Sequence, residues 1–239
     1  MSPSRFDRTA DRYAQSAARR DWSGLASWCS PAPGDCALDV AAGPGFLSAA
    51  LLRVVARAVA LDESEALLAH APEGVERVVG DAAALPFPDG SFEIVTCVNS
   101  LHHVPEPDAV LGEAARVLSD GGRIVIQDYL ADPDSDAAER WDEIERLRDA
   151  GHHHLPPRGF VAGALGRHGL HLAYEEEWTS SWKLDDWVGM AECDEATSAR
   201  IRELVGADRF SLTAWRGRFS RSPEPWDPSV TVSSGSVLG

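Results

Sequence analysis

Basic side chains are scarce in this sequence: a single lysine, Lys183, contributes to a total of 22 basic residues, against 38 acidic residues in a chain of 239. The formal net charge is −16 at pH 7. Such a surface repels phosphate backbones and anionic lipids, so nucleic acids and membranes are disfavoured as partners. The arginines near the N-terminus alternate with aspartates between Asp7 and Asp21, which is typical of a solvated helix face rather than of a basic groove.

Cysteines are few, and long apolar runs are absent. The four cysteines, Cys29, Cys36, Cys97 and Cys193, form no CxxC pair and no cluster with histidine, so the sequence predicts no zinc site. Reduced thiols are typical of a cytoplasmic protein. No stretch is long and apolar enough to span a bilayer, and the N-terminus lacks the apolar segment of a signal peptide. We therefore expect a cytoplasmic protein with no membrane anchor and no bound metal.

Short apolar segments alternate with amphipathic segments over the first half of the chain. Most of the apolar segments are rich in valine, alanine, isoleucine or leucine. Strands that alternate with helices at this spacing indicate a parallel, doubly wound α/β sheet. The predicted strands are 37–41, 57–62, 75–81, 91–99 and 123–130, and the predicted helices between them are 45–56, 64–70 and 107–118.

The alternation ends after residue 130, and the segments that follow read as helices, loops and two further strands. We expect one domain over 1–222, with a lid helix (6–20) inside the N-terminal segment 1–30 and substrate-cap insertions over 136–210. The proline- and serine-rich segment 223–239 is predicted to be a mobile tail. The later elements are predicted as helices at 136–150 and 158–168, a strand at 170–182, two short helices within 185–204 and a last strand at 213–221.

The segment ALDVAAGPGFLSAALL, residues 37–52, joins a strand to a helix through a Gly-Pro-Gly turn. Such a turn points backbone N–H groups and a helix N-terminus at an anionic group of a ligand. Asp62 ends the second strand, where a carboxylate can accept hydrogen bonds from a ribose diol. A dinucleotide and other nucleoside cofactors both fit these features.

Three details separate these cofactors. The dinucleotide fingerprint Gly-x-Gly-x-x-Gly/Ala is incomplete because Ser48 occupies its last position, and no Gly-x-x-x-x-Gly-Lys phosphate loop is present. Asp81 follows the third strand, where it could accept a hydrogen bond from an adenine amino group. The fourth strand ends in a polar cluster, NSLHHVPEP. These details favour a nucleoside cofactor other than NAD.

Residues 37–128 resemble the class I S-adenosylmethionine-dependent methyltransferases, and in particular the branch of the ubiquinone/menaquinone-biosynthesis C-methyltransferases. The motifs that carry the resemblance are LDVAAGPG, VVGDAAALPFPDGSFEIV and NSLHHVPEP, and the N-terminal FDRTADRY also fits. The resemblance implies a Rossmann-like sheet of seven strands with an antiparallel last strand. It also implies S-adenosylmethionine as the cofactor, S-adenosylhomocysteine as the product and a small molecule as the methyl acceptor.

The resemblance assigns the cofactor contacts by position. The methionine end would lie on the turn after the first strand, the ribose on Asp62, the adenine on Asp81 and Ala82, and the sulfonium beside Asn99 and Ser100. The full set of cofactor contacts expected in this way is Tyr13, Asp39, Ala41, Gly43, Gly45, Asp62, Asp81, Ala82, Asn99 and Ser100.

Two of these positions differ from the rest. Ala41 stands where the family commonly has its first glycine, and alanine is small enough for binding to survive. Tyr13 lies on the N-terminal helix, from which its ring could either close over the cofactor or pack against the domain.

Methyl transfer to a hydroxyl group or an activated carbon is helped by a base within hydrogen-bond reach. His102 follows the fourth strand and is the first candidate, whereas His103 is expected to point elsewhere. The three consecutive histidines 152–154 cannot easily face one metal ion. A histidine in this loop often faces the substrate in the family, which makes His154 the second candidate, with Arg158 as a candidate anion contact.

The sequence leaves other functions open. A non-methylating enzyme could use the same pocket for cyclisation or decarboxylation, and a cofactor sensor or an NAD-binding protein are further alternatives. Nucleic-acid methylation is disfavoured by the charge and by the absence of an Asn/Asp-Pro-Pro-aromatic motif. Trp178, Trp182 and Trp187 could wall a pocket or pack in the core. We expect a small, largely apolar substrate held by few polar anchors, a lid helix that ligands order, and a monomer or homodimer.

Overall fold

The computed structural model describes residues 5–191 and 193–222, and these form one seven-stranded sheet with helices on its two faces. The predicted mobile tail, 223–239, lies outside the described residues. The strand order is β3-β2-β1-β4-β5-β7-β6. The strands are β1 (Cys36–Val40), β2 (Arg57–Asp62), β3 (Glu76–Val79), β4 (Phe92–Val98), β5 (Leu118–Leu130), β6 (His171–Lys183) and β7 (Arg209–Ser220).

Strands β1 to β5 are parallel, and β7 runs antiparallel to both of its neighbours, β5 and β6. The predicted fold class, a doubly wound and mostly parallel sheet with an antiparallel last strand, is therefore confirmed. The helices are α1 (Arg5–Ala17), α2 (Ser23–Trp28), α3 (Phe46–Leu52), α4 (Glu65–Leu68), α5 (Pro107–Val117), α6 (Ser135–Arg148), α7 (Phe160–Arg167), α8 (Leu184–Gly189) and α9 (Glu195–Val205).

The core lies along the central strands β1, β2, β4 and β5. Most of their apolar side chains are buried because helices cover both faces of a parallel sheet. Leu38 of β1, for example, is paired with Val59 on one side and with Val95 on the other, and all three are inaccessible to solvent. This apolar centre fixes the carboxyl ends of β1, β2 and β4 at one edge of the sheet.

Several predicted boundaries are wrong, and the last strand, expected at 213–221, already begins at Arg209. The strand expected at 123–130 begins at Leu118, whose buried side chain belongs to the core and whose backbone pairs with Phe92. The helix expected over 45–56 ends at Leu52, and residues 53–56 form the connection to β2. The predicted cap of α4 is confirmed, since the Ser64 hydroxyl accepts the Leu67 N–H at 3.2 Å.

The antiparallel part of the sheet has a different character. Strand β6 alternates exposed and partly buried residues because it is the outer strand. Arg216 of β7 is buried between the Glu176 carboxylate, at 2.8 Å, and the ring of Trp28, which its guanidinium approaches to 4.2 Å. Stacking on Trp28 thus attaches α2 to β7, while the ion pair joins β7 to β6.

Within the described ranges, no helix is both long enough and apolar enough to cross a membrane. Over the same ranges, no group of three or more His, Cys, Asp or Glu side chains is arranged to hold a metal ion.

Candidate functional site

The glycine turn after β1 is built from left-handed backbone. Ala41, Gly43 and Gly45 have φ angles of 53°, 56° and 68°. Gly43 donates its N–H to Asp62 Oδ2 at 2.7 Å, and Gly45 precedes the first turn of α3. Glycine adopts this conformation without strain, whereas alanine at position 41 costs about 1–2 kcal/mol. The left-handed residues therefore turn the backbone sharply between β1 and α3, as expected for a turn that holds a nucleoside cofactor.

Asp62 connects this turn to the end of β2. Its carboxylate accepts the Gly43 N–H through Oδ2 and the Ser64 N–H through Oδ1 at 2.9 Å, and the residue is 8% exposed. An ionised carboxylate has about four acceptor positions, so a ribose diol could bond to it as well. Asp62 consequently shapes the turn in addition to the ligand role expected from the sequence.

Asp39 lies beneath the turn and is 3% exposed. Its carboxylate accepts hydrogen bonds from Thr96 Oγ1 at 2.6 Å and Ser48 Oγ at 3.1 Å. Burial raises the pKa of Asp39 to about 6, although both hydroxyl groups oppose this rise. The serine that interrupts the dinucleotide fingerprint therefore has a definite role as a hydrogen-bond donor.

Two of the predicted contacts, Asn99 and Ser100, follow the end of β4 and bond to the neighbouring strand ends. Asn99 has a φ of 52° and donates its N–H to the Gln127 carbonyl at 2.7 Å. The Ser100 hydroxyl donates to the Ala41 carbonyl at 3.2 Å. Asn99 and Ala41 line a small cavity of about 30 Å³ beside the glycine turn.

Of the remaining cofactor contacts, Tyr13 lines this cavity, whereas Asp81 and Ala82 do not. Tyr13 of α1 lines it from above, and a Cβ atom on Gly43 would lie 3.4 Å from the Tyr13 ring. Asp81 is exposed after β3 and accepts the Ala83 N–H at 2.8 Å, while Ala82 packs partly against the core. The turn, the two strand ends and the Tyr13 ring leave a polar cradle that suits a nucleoside with an amino-acid tail.

A second cavity, of about 160 Å³, adjoins the first and is called the α1 cavity here. It lies between α1 and the segment 145–212, with the turn after β4 as its floor. Asn99 and Tyr13 line both cavities. The aromatic and apolar part of its wall consists of Tyr129, Leu155, Trp182, Trp187, Met190 and Leu212.

His102 lies in the wall of the α1 cavity and is bonded to a carboxylate. Its Nδ1 is 2.6 Å from Asp128 Oδ1, and Asp128 is 1% exposed. Asp128 Oδ2 also accepts the Leu101 N–H at 3.0 Å. Burial lowers the pKa of His102, but the charge and hydrogen bond of Asp128 outweigh burial, so the pKa lies above its ordinary value.

Sequence reasoning missed Asp128 as the partner of His102, although a signal was present. Strands β4 and β5 are parallel neighbours, and Val98 is paired with Gln127. Polar residues just beyond these positions must therefore come together at the carboxyl edge. With Nδ1–H donated to Asp128, His102 keeps Nε2 as the nitrogen that can accept a proton from a ligand.

The other histidines depart from expectation. His103 was expected to point elsewhere, but it lines the same cavity, with its ring centroid 4.2 Å from that of His102. His154 is absent from the cavity wall; its side chain is 77% exposed and its Nδ1 bonds Asp142 Oδ2 at 3.0 Å. The loop histidines are held away from the cavity because Asp142 of α6 binds both His154 and the buried His152.

Of Arg158 and the three candidate tryptophans, some line the α1 cavity and others lie elsewhere. Arg158 forms an ion pair with Glu177 and lines a separate cavity. Trp182 and Trp187 line the α1 cavity, which is one of the two alternatives for them, whereas the ring centroid of Trp178 lies 5.4 Å from the Arg216 guanidinium. The wall also carries several charged side chains, and the expectation of a substrate held by few polar anchors stays a prediction.

Comparison with known proteins identifies the family. Residues 38–126 match the family model described as "Methyltransferase domain". The chain is 31% identical over 208 residues to 27-O-demethylrifamycin SV methyltransferase of Amycolatopsis mediterranei (strain S699), covering 80% of this chain and 74% of that relative. It is 44% identical over 110 residues to demethylmenaquinone methyltransferase of Clavibacter sepedonicus, covering 44% of this chain and 45% of the relative.

A solved structure shows the same fold. The YcgJ protein of Bacillus subtilis superposes with a TM-score of 0.79 at 22% identity, covering 84% of this chain and 98% of that one. The chain therefore belongs to the class I S-adenosylmethionine-dependent methyltransferase family.

Proposed function

We propose that this protein transfers a methyl group from S-adenosylmethionine to a hydroxyl group of a small molecule bound in the α1 cavity. The observation that carries the proposal is the His102–Asp128 pair in the cavity wall, next to the Asn99 that also lines the glycine-turn cavity. The relative that this chain matches over 74% of the relative's length has an O-demethylated compound, 27-O-demethylrifamycin SV, in its name.

The residues at the glycine turn suit the cofactor. The left-handed turn 41–45 and the nearby Tyr13 ring would hold the methionine part, and the Asp62 carboxylate the ribose. Asp81 and Ala82 would contact the adenine, with Asn99 and Ser100 near the sulfonium. S-adenosylmethionine supplies an electrophilic methyl group when bound.

His102 would act as the general base. Nε2 accepts the proton of the acceptor hydroxyl as the oxygen becomes nucleophilic, and Asp128 stabilises the imidazolium that forms. The raised pKa of His102 makes it a stronger base, provided that the pH is high enough to leave it neutral. A positioned base of this kind contributes about 10²- to 10⁴-fold to the rate.

The wall of the α1 cavity would position the acceptor. Its aromatic part suits a flat apolar body, since Trp182, Trp187 and Tyr129 offer large, rigid contact surfaces. Helix α1 covers both cavities in this structure and buries Ala10, Ala14 and Ala17 beneath it. In that position α1 would exclude water from the line between acceptor oxygen and methyl group.

The experiment compares two histidines of equal chemistry. Purified wild type, His102→Gln and His154→Gln are tested for S-adenosylhomocysteine binding by calorimetry and for transfer of a labelled methyl group to phenols, hydroxyquinones and polyketide alcohols. We expect His102→Gln to lose about 10²-fold or more in kcat/KM with unchanged affinity, and His154→Gln to stay close to wild type.

Two results would contradict the proposal. The first is a His102→Gln enzyme that methylates as fast as wild type. The second is tight S-adenosylhomocysteine binding together with acceptor turnover but no transfer of label, which would indicate a non-methylating reaction on the same fold.

A further inference from the structure

Some charged side chains in the wall of the α1 cavity have ion-pair or hydrogen-bond partners within the protein, and others differ in this respect. Five of them, besides the histidines, line it: Arg12, Arg20, Arg148, Glu145 and Asp149. A cavity that recognises its ligand by charge should leave at least one sign without an internal partner. The partners of each side chain therefore indicate which charge the ligand carries.

Arg148 is fully engaged within the protein. Its Nη1 donates to Glu145 Oε2 at 3.1 Å, and its Nε donates to the Trp187 carbonyl at 3.2 Å. The guanidinium also stacks on the Trp187 ring, 4.3 Å from the centroid. This arginine builds the wall and has little capacity left for a ligand.

Both acidic side chains in the wall are also engaged and buried. Glu145 is bound by Arg148, as above, and is 8% exposed. Asp149 Oδ1 accepts the Gly151 N–H at 3.0 Å, and its Oδ2 lies 4.0 Å from His103 Nε2. No unsatisfied negative charge therefore faces the cavity among these residues.

The other two arginines of the cavity wall, Arg12 of α1 and Arg20 shortly after it, differ from Arg148 in their partners. Among the residues whose side chains the structure describes, no carboxylate lies within 4.0 Å of the guanidinium group of Arg12 or Arg20. Both line the cavity, Arg12 as an exposed and Arg20 as a partly exposed residue. Burial raises the pKa of Tyr129, which also lines the cavity, and the Ser180 hydroxyl and the Arg20 charge oppose that rise. In a chain with a net charge of −16, this is a locally positive wall.

We propose that the acceptor carries a carboxylate, or an equivalent anionic group, which Arg12 and Arg20 bind while its hydroxyl lies at His102. Guanidinium groups bind carboxylates by paired hydrogen bonds, and a partly closed aromatic cavity strengthens them. The overall negative charge of the protein repels acidic molecules, so a positive wall is needed to admit one. The acceptor class is an aromatic hydroxy acid, an identification that rests on the proposed function.

The methionine part of the cofactor also bears a carboxylate, so the position of the arginines matters. The small cavity at the glycine turn is lined by Tyr13, Ala17, Trp22 and the turn itself. Arg12 and Arg20 line the α1 cavity but not this small cavity. This separation favours the acceptor as the source of the anionic group.

The test measures binding, which does not require turnover. Calorimetry with S-adenosylhomocysteine present compares hydroxybenzoic and hydroxynaphthoic acids with their methyl esters. We expect at least one acid to bind about tenfold or more tightly than its ester. Arg20→Gln and Arg12→Gln should weaken the acid toward the ester and leave the ester unchanged. Arg19→Gln, an exposed arginine of the same segment outside the cavity wall, is the matched control and should change neither.

Three results would overturn the inference. Acids that bind no better than their esters would show that charge is not recognised. Arg20→Gln that weakens S-adenosylhomocysteine instead would show that the arginines serve the cofactor. Equal losses in Arg19→Gln would indicate a general field effect. Failure of the proposed function is separate, because arginine-dependent acid binding without methyl transfer would refute the transfer and leave the inference standing.

Discussion

The glycine turn and the α1 cavity lie side by side but are built differently. The turn is held by backbone groups and one carboxylate, with Gly43 and Asp62 only 19 residues apart. The α1 cavity is assembled from side chains that extend from Thr9 to Leu212. A site made of backbone suits a ligand that does not change, whereas a site made of side chains can be altered residue by residue. We therefore expect the turn to bind a cofactor that does not vary, and the side chains of the α1 cavity to select the acceptor.

Asp128→Asn should give the largest effect and act only on the acceptor side. Asparagine keeps the shape but removes the charge that raises the pKa of His102, and its NH2 group replaces one of the two oxygens that accept from Leu101 and His102. We expect kcat/KM to fall about 10²- to 10³-fold. Because a lower pKa leaves His102 neutral at lower pH, the acid limb of the profile should move to lower pH. The pH dependence of kcat/KM measures both.

Asp142→Asn is the matched control for that variant. Asp142 bonds His152 Nε2 at 2.7 Å, in a similar pair that stands outside the cavity wall. It should lose stability, because a buried histidine loses its partner, but keep the wild-type pH profile. A shifted acid limb in Asp142→Asn, or an unshifted one in Asp128→Asn, would contradict the role given to Asp128.

Asp62→Asn should affect folding and cofactor binding together. The asparagine amide must place an N–H group against the N–H of either Gly43 or Ser64, both of which Asp62 now accepts. We expect a loss of about 2 kcal/mol in unfolding free energy and at least tenfold weaker S-adenosylhomocysteine binding. Urea denaturation and calorimetry measure the two.

Ser64→Ala separates the two roles of Asp62. It removes the cap of α4 and should reduce stability by about 1 kcal/mol with little change in affinity. If Asp62→Asn lost stability alone, the turn would be structural and its ligand role would be wrong.

The contrast between the two regions also explains what the sequence could predict. The turn, Asp62 and the parallel strands follow from glycine spacing and strand alternation, because those signals are local, whereas the seven-stranded sheet with its antiparallel last strand is implied by the resemblance. The pairing of His102 with Asp128 needs the strand order. The position of His154 outside the cavity depends on a contact with Asp142 of α6, and no local pattern encodes it. The set of charges in the α1 cavity is hidden for the same reason, because the cavity brings together side chains from Thr9 to Leu212.

Asp39→Asn tests whether the floor of the glycine turn is strained by charge. The folded pKa of about 6 lies above the unfolded value of 3.8, so ionisation destabilises the folded state increasingly as pH rises through this range. Asparagine does not titrate. The stability of Asp39→Asn relative to wild type should therefore rise by about 1–1.5 kcal/mol between pH 5 and pH 7.5. Urea denaturation at the two pH values measures this, and a constant difference would show that Asp39 is not destabilised by burial.

Ala41→Gly should have the smallest effect, and it tests the backbone of the cofactor end directly. Ala41 has a φ of 53°, which strains an alanine by about 1–2 kcal/mol, while glycine adds about 0.4–1 kcal/mol of unfolded-chain entropy. The net expectation is a gain of about 0.5 kcal/mol in unfolding free energy. Ala42→Gly is the matched control: Ala42 lacks a positive φ and packs against the core, so the same change should only destabilise. Urea denaturation of both variants measures the difference. If Ala41→Gly lost as much stability as Ala42→Gly, the left-handed turn would carry no strain, and the preference for glycine there would have to come from room for the cofactor instead.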